Sequence, residues 1–122
     1  MKTLMFAVLL CLSVAARGED WILISADDTA RIFVDASSII RGPSGETRFT
    51  LKFAYQDRRD MMSLEYNAAL KKLVVACEQG LVLHQQQFLL NDDEVVWTFP
   101  ESAKPEKAGK ELPEAVIRKV CG

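Results

Sequence analysis

The chain has 122 residues, enough for one domain, with 26% charged residues and a formal net charge of −2. A mildly acidic balance excludes the broad basic face that nucleic-acid binding needs. Three cysteines and a single histidine leave little material for a metal centre or a nucleophilic machine.

The first sixteen residues read as a secretory leader. Lys2 gives a positive start, Leu4 to Val14 is an almost unbroken apolar run, and Val14-Ala15-Ala16 closes on small residues. The run is too short for a bilayer span, which takes about 20 apolar residues. Residues 17–122 are then a single domain with no transmembrane segment after cleavage. Loss of 1–16 removes Lys2 alone among the charged side chains and takes the net charge from −2 to −3. It also removes Cys11, which follows Leu10 rather than the small residue that precedes a lipoprotein cysteine. Cys77 and Cys121 remain, and an even pair in an exported chain reads as a disulfide.

Trp21 to Ser25 is a short apolar strand, Asp27-Asp28-Thr29 a turn, and Arg31 to Asp35 the return strand of a hairpin. Asp35 before Ser37-Ser38 suits a turn cap. Ser37 to Ile40 reads as a short turn carrying two buried isoleucines. Gly42-Pro43-Ser44-Gly45 is a loop. Glu46 to Gln56 alternates with period two: Phe49, Leu51, Phe53 and Tyr55 on one face, Arg48, Thr50 and Lys52 on the other. One dry and one wet face favours an antiparallel sheet.

Asp57-Arg58-Arg59-Asp60 reads as a charged turn. Met61 to Ala76 is compatible with a helix by propensity, but Leu73-Val74-Val75-Ala76 favours a long strand. Glu78-Gln79-Gly80 turns the chain into a strand from Leu81 to Leu90, with Val82, His84, Gln86, Phe88 and Leu90 on one face. Asn91-Asp92-Asp93 turns it again into Glu94 to Phe99. Pro100 to Gly109 reads as a loop. Leu112, Ala115, Val116 and Val120 make one apolar stripe of a final short helix, with Pro113 in its first turn and Gly122 as its cap. A helix this short needs something to dock on. The expected fold is therefore α+β: about six antiparallel strands in a curved, meander-like sheet, with a C-terminal helix packed on one face and tied by Cys77–Cys121.

Taken in order, Trp21-Ile22-Leu23, Phe33-Val34-Asp35, Ser38-Ile39, Cys77, Trp97, Pro100-Glu101-Ser102 and the closing Val120-Cys121 resemble the surface-adhesin protein E-like domain of Gram-negative bacteria. The resemblance covers nearly all of residues 20–121. It implies a sheet of about six strands with a disulfide-held C-terminal helix. It also implies an envelope or secreted protein of the periplasm or cell surface, of a kind whose characterised members bind host extracellular-matrix or serum proteins. The chain differs from that pattern in a longer approach to the helix at 103–109, a less polar 61–70 and no lipoprotein cysteine.

The chemistry-bearing residues give a bland picture. His84 is followed by three glutamines and is expected at the solvent edge of its strand as a structural histidine. Asp27-Asp28 and Asp92-Asp93-Glu94 are turn acids, short of the six or more oxygens that Ca²⁺ takes. No cofactor, catalytic set or metal site is expected, and no glycine-rich loop opens a helix for a phosphate. Two basic pairs, Arg58-Arg59 and Lys71-Lys72, are the candidate contacts for an anionic partner surface. The expectation is a non-enzymatic exported protein with a protein partner, with strand edges that leave room for a homodimer. A periplasmic accessory protein without a host ligand is the alternative, and a secreted inhibitor of the cystatin kind lacks its Gln-x-Val-x-Gly loop.

Overall fold

A computed structural model describes residues 19–102 and 104–122. The expected leader at 1–16 lies outside the described residues. Six antiparallel strands dominate: β1 (Trp21–Ala26), β2 (Ala30–Asp35), β4 (Glu46–Met61), β5 (Leu64–Ala76), β6 (Leu81–Asn91) and β7 (Glu94–Phe99). They lie side by side in chain order, while the two-residue strands β3 (Ile40–Arg41) and β8 (Glu106–Lys107) add to β4 and β6. Two short helices close the chain, α1 (Ala108–Glu111) and α2 (Glu114–Cys121). The α+β meander with a C-terminal helix is the fold that the alternation pattern implies, and Met61 to Ala76 is strand rather than helix.

Strand alternation sorts the sheet into two faces. Ile32, Val34, Phe49, Leu51, Leu73, Val75 and Val82 point to one side and meet Ala108, Leu112, Val116 and Val120 from the C-terminal segment. Val34, Leu51, Val116 and Val120 are fully buried. The stripe read from sequence is real, although Leu112 and Pro113 precede α2 rather than open it. Cys77, just past β5, is bonded to Cys121 at the end of α2, with Cα atoms 5.7 Å apart. Arg41 reaches across to donate to the Gly122 carbonyl at 3.1 Å, a cation at the helix C-terminus.

The turns follow local chemistry. The Asp27 carboxylate accepts the Thr29 and Ala30 N–H groups at 2.7 and 2.9 Å. Those two bonds, Ala30 first, hold its acid below the usual carboxylate range. Asp35 caps the 3-10 turn Ala36–Ser38 by accepting from the Ser37 N–H. Burial pushes its pKa up, but the Ser37 hydroxyl and the Asp20 and Ser37 N–H groups pull harder and hold it low.

Four expectations are corrected. Asp57–Asp60 is strand, not turn: β4 runs on to Met61, and the reversal falls at Met62-Ser63, with φ of 50° and 69°. Beyond Tyr55 the β4–β5 hairpin has no β2 neighbour, so charges on both faces remain wet and no apolar alternation is required. Of the two isoleucines, Ile39 packs on the core but Ile40 is 61% exposed, because β3 turns it to the other side of the sheet. Within Pro100 to Gly109, β8 pairs Lys107 and Glu106 with Leu81 and Val82 and leads into α1. Finally, β6 carries a bulge. Leu73 pairs with His84 but Lys72 pairs with Gln86, so Gln85 is an extra residue and the phase shifts. Val82 and His84 therefore share the helix-covered face, whereas Gln86, Phe88 and Leu90 share the opposite one.

Candidate functional site

Each basic pair sits within a strand, so its two members leave from opposite faces. Arg58 donates to the Asn91 side chain and, at 3.1 and 3.2 Å, to both oxygens of the Asp92 carboxylate. Asn67 donates to Asp92 and accepts the Asp92 N–H, both at 3.1 Å. Arg58 thus fastens the β6–β7 turn to the β4–β5 hairpin. Arg59 stacks 4.4 Å from the centre of the Tyr55 ring, which meets Tyr66 edge-on at 5.8 Å. Burial, then Tyr66, pushes the Tyr55 phenol above its usual range against the pull of Arg59. Lys72 points outward and is exposed, whereas Lys71 points into the covered face with its amine 4.8 Å from the Phe53 ring centre. The four cations form no common patch.

Lys71 instead joins His84. The β6 bulge puts both on the helix side, where they line a cleft of about 270 Å³ with Gln87, Ser102, Glu106 and Glu111. His84 is not at a solvent edge: its side chain is 14% exposed, and both ring nitrogens are sealed from water without a hydrogen bond. The nearest charge is the Glu111 carboxylate, with Oε1 3.4 Å from Nε2. The Ser102 N–H donates to the His84 carbonyl at 3.3 Å and fastens the loop after β7 to the strand. Burial lowers the Lys71 pKa and Glu111 partly opposes the shift. A partly buried amine, an imidazole closed to solvent and a carboxylate therefore line one concavity. Among the described residues no three His, Cys, Asp or Glu side chains gather as metal ligands.

Among the described residues, the other face of the sheet carries no helix. A register row crosses it through Leu23, Phe33, Lys52, Leu70, Phe88 and Thr98. A shallow groove of about 370 Å³ lies over Leu70 and Phe88, walled by Trp21 and Val95 and edged by Thr50 and Lys72. The Lys52 amine lies 5.9 Å from the Trp21 ring centre and 3.8 Å from the Asp93 carboxylate. Leu23 and Val95, at 52% and 57% exposure, leave apolar surface in water there.

The sequence names Lys71 and His84 but gives no reason to put them together, it offers Ser102 only within the Pro100-Glu101-Ser102 resemblance, and it gives no sign of Glu111. Three consecutive glutamines hide which one is the bulge, and Glu111 sits in a segment without periodicity. Compared with known proteins, the chain matches no family model, no curated protein and no solved structure.

Proposed function

We infer that the protein is an exported, non-enzymatic binding domain of the cell envelope. The observation that carries this reading is the Cys77–Cys121 bond, which joins the end of β5 to the terminal helix across 44 residues. Such structural bridges persist in oxidising compartments, and the apolar leader at 1–16 supplies the route. Among the described residues no helix is long and apolar enough to cross a membrane. The uncovered sheet face, with Leu23 and Val95 exposed beside Lys52 and Lys72, is the surface offered to a protein partner. The resemblance to the surface-adhesin protein E-like domain extends this to host matrix or serum proteins.

The test is localisation joined to binding. Fractionation of the producing cell, N-terminal sequencing and protease shaving should show cleavage near Ala16 and an oxidised protein outside the cytoplasm. Accessibility in intact cells, with retention on matrix or serum proteins that Val95→Asp abolishes, is the result expected for an adhesin. A protein found in the cytoplasm with residues 1–16 attached and both thiols free would overturn export. A cleaved protein shielded in the periplasm would overturn host adhesion and leave envelope partners as the ligands.

A further inference from the structure

We propose that the uncovered sheet face receives an amphipathic helix of a protein partner, one that sets an acidic side chain between two apolar ones at i, i+4 and i+8. This rests on the reading of that face as a partner surface and adds the chemistry of what it takes. An antiparallel sheet with one cover ordinarily alternates apolar inward and polar outward. Here much of the outward side is apolar as well: Leu70 and Val74 on β5, Leu83 and Phe88 on β6. Apolar side chains on both faces are the pattern of a sheet with a layer on each side. Among the described residues the helices supply a layer on one side only.

The order of residues on the face selects its cover. Leu70, Lys72 and Val74 follow one another outward along β5. The groove of about 370 Å³ lies over Leu70, and a second of about 220 Å³ lies over Val74 and Leu83. Lys72 stands between them. It pairs with Thr50 on β4, so Arg48 and Lys52 are its diagonal neighbours, at about 7–8 Å. Arg48 and Lys72 take part in no ion pair among the described residues, and Lys52 pairs with the exposed Asp93 alone. Three cations this close repel one another, and an acid placed among them relieves the repulsion. The acids of the same face stay at its margins: Glu19 ahead of β1, Glu46 at the start of β4, Asp93 in the β6–β7 turn. Asp35 is already held by the Asp20 and Ser37 donors. The face thus fits an anionic centre with apolar flanks. Leu70 and Val74 lie four residues apart, about 13 Å along a strand. Positions i and i+8 of a helix lie about 12 Å apart, with i+4 between them on the same side. Two other occupants fit worse. A second copy stacked face to face would set the cation cluster against its own image. The apolar run Leu4 to Val14 has no acidic residue to meet Lys72.

The mature, oxidised protein is panned against a phage library of random peptides of about 16 residues, roughly 24 Å as a helix. The recovered peptides are sequenced and synthesised. They should share an Asp or Glu with apolar residues four positions to either side. Changing that acid to its amide should weaken binding about tenfold, and so should the Arg48→Gln, Lys52→Gln, Lys72→Gln triple variant. The two losses should not add, because each removes the same contact. Val95→Asp and Leu81→Asp, one at each groove and both at exposed positions, should abolish binding. Unchanged far-ultraviolet circular dichroism shows that each variant is folded. Peptides that need Val95 and Leu81 but bind as well without an acid, or as well to the triple variant, would refute the acidic helix and leave the face as a partner surface. Peptides indifferent to both Asp substitutions would refute both readings. Recovery of no specific peptide would also refute the proposal, and retention on matrix or serum proteins then tests the face by itself.

Discussion

The bond between Cys77 and Cys121 should carry a large share of the stability. It closes a loop of 44 residues, for which chain entropy gives about 4 kcal/mol, and measured returns are usually roughly 2–4 kcal/mol. The bridge also decides whether α2 stays docked. That helix has eight residues and forms no stable structure alone in water. Its anchoring residues Val116 and Val120 are fully buried, each contributing about 1.5–3 kcal/mol on burial. Freed of its tie, the segment would pay the ordering entropy of its own docking from those contacts alone. Cys77→Ser with Cys121→Ser should therefore lower the unfolding free energy by about 2–4 kcal/mol. With a urea slope of about 1–2 kcal/mol per molar, the midpoint should fall by roughly 2 M. Urea unfolding followed by far-ultraviolet circular dichroism reads the midpoint, and hydrogen exchange over 114–121 reads the helix. Coincident unfolding curves for the oxidised protein and the double serine variant would refute the reasoning, because the helix contacts alone would then fix the C-terminus.

Other outcomes follow from single side chains. Val116→Ala opens a cavity beneath the helix and should cost about 2–3 kcal/mol in the same urea assay, with an unchanged slope. Asp35→Ala leaves the Asp20 and Ser37 donors unpaired and should cost about 1–2 kcal/mol near pH 7. Because the folded pKa of Asp35 lies below its unfolded value, its contribution is complete above the ordinary carboxylate range. It is lost as pH falls through the folded pKa, so wild type and variant should converge in strong acid. Lys71→Met is close in volume and should be neutral or stabilising near pH 7, by no more than about 1 kcal/mol. The Lys71 amine has a folded pKa below its unfolded value, so the unfolded chain binds the extra proton. Wild-type stability should gain on the variant as pH rises from the folded pKa to the usual lysine value, and an identical pH dependence in both proteins would sink that reading. Met62→Asn with Ser63→Gly puts residues suited to positive φ where φ is 50° and 69°, and should raise the thermal midpoint by the equivalent of about 1 kcal/mol.

What was readable in the sequence was whatever is fixed locally. Phe49, Leu51 and Phe53 alternate within one strand, so their common face follows from the pleat alone. Val116 and Val120 lie four apart on one helix face, and the two cysteines outside residues 1–16 leave one pairing. Asp57–Asp60 reads misleadingly as a turn because of its charge, although the chain there has no glycine or proline, and Arg58 finds its partner Asp92 only across strands. The segment before α1 was illegible for a related reason. Ala108 is 2% exposed and its N–H donates to the Gly80 carbonyl at 2.8 Å, a contact set by distant residues. The cleft combines both difficulties. Strict alternation through β6 would carry His84 and Gln86 on one face and leave Gln87 on the other. One extra residue at Gln85 reverses the second half of the strand, keeps Val82 and His84 with the core, and brings Gln87 opposite Lys71. Leu89 then points to the helix side, where it is 4% exposed, while Phe88 floors the opposite groove. The bulge thus serves two packing demands at once, and its by-product is the polar concavity that Lys71 and His84 line.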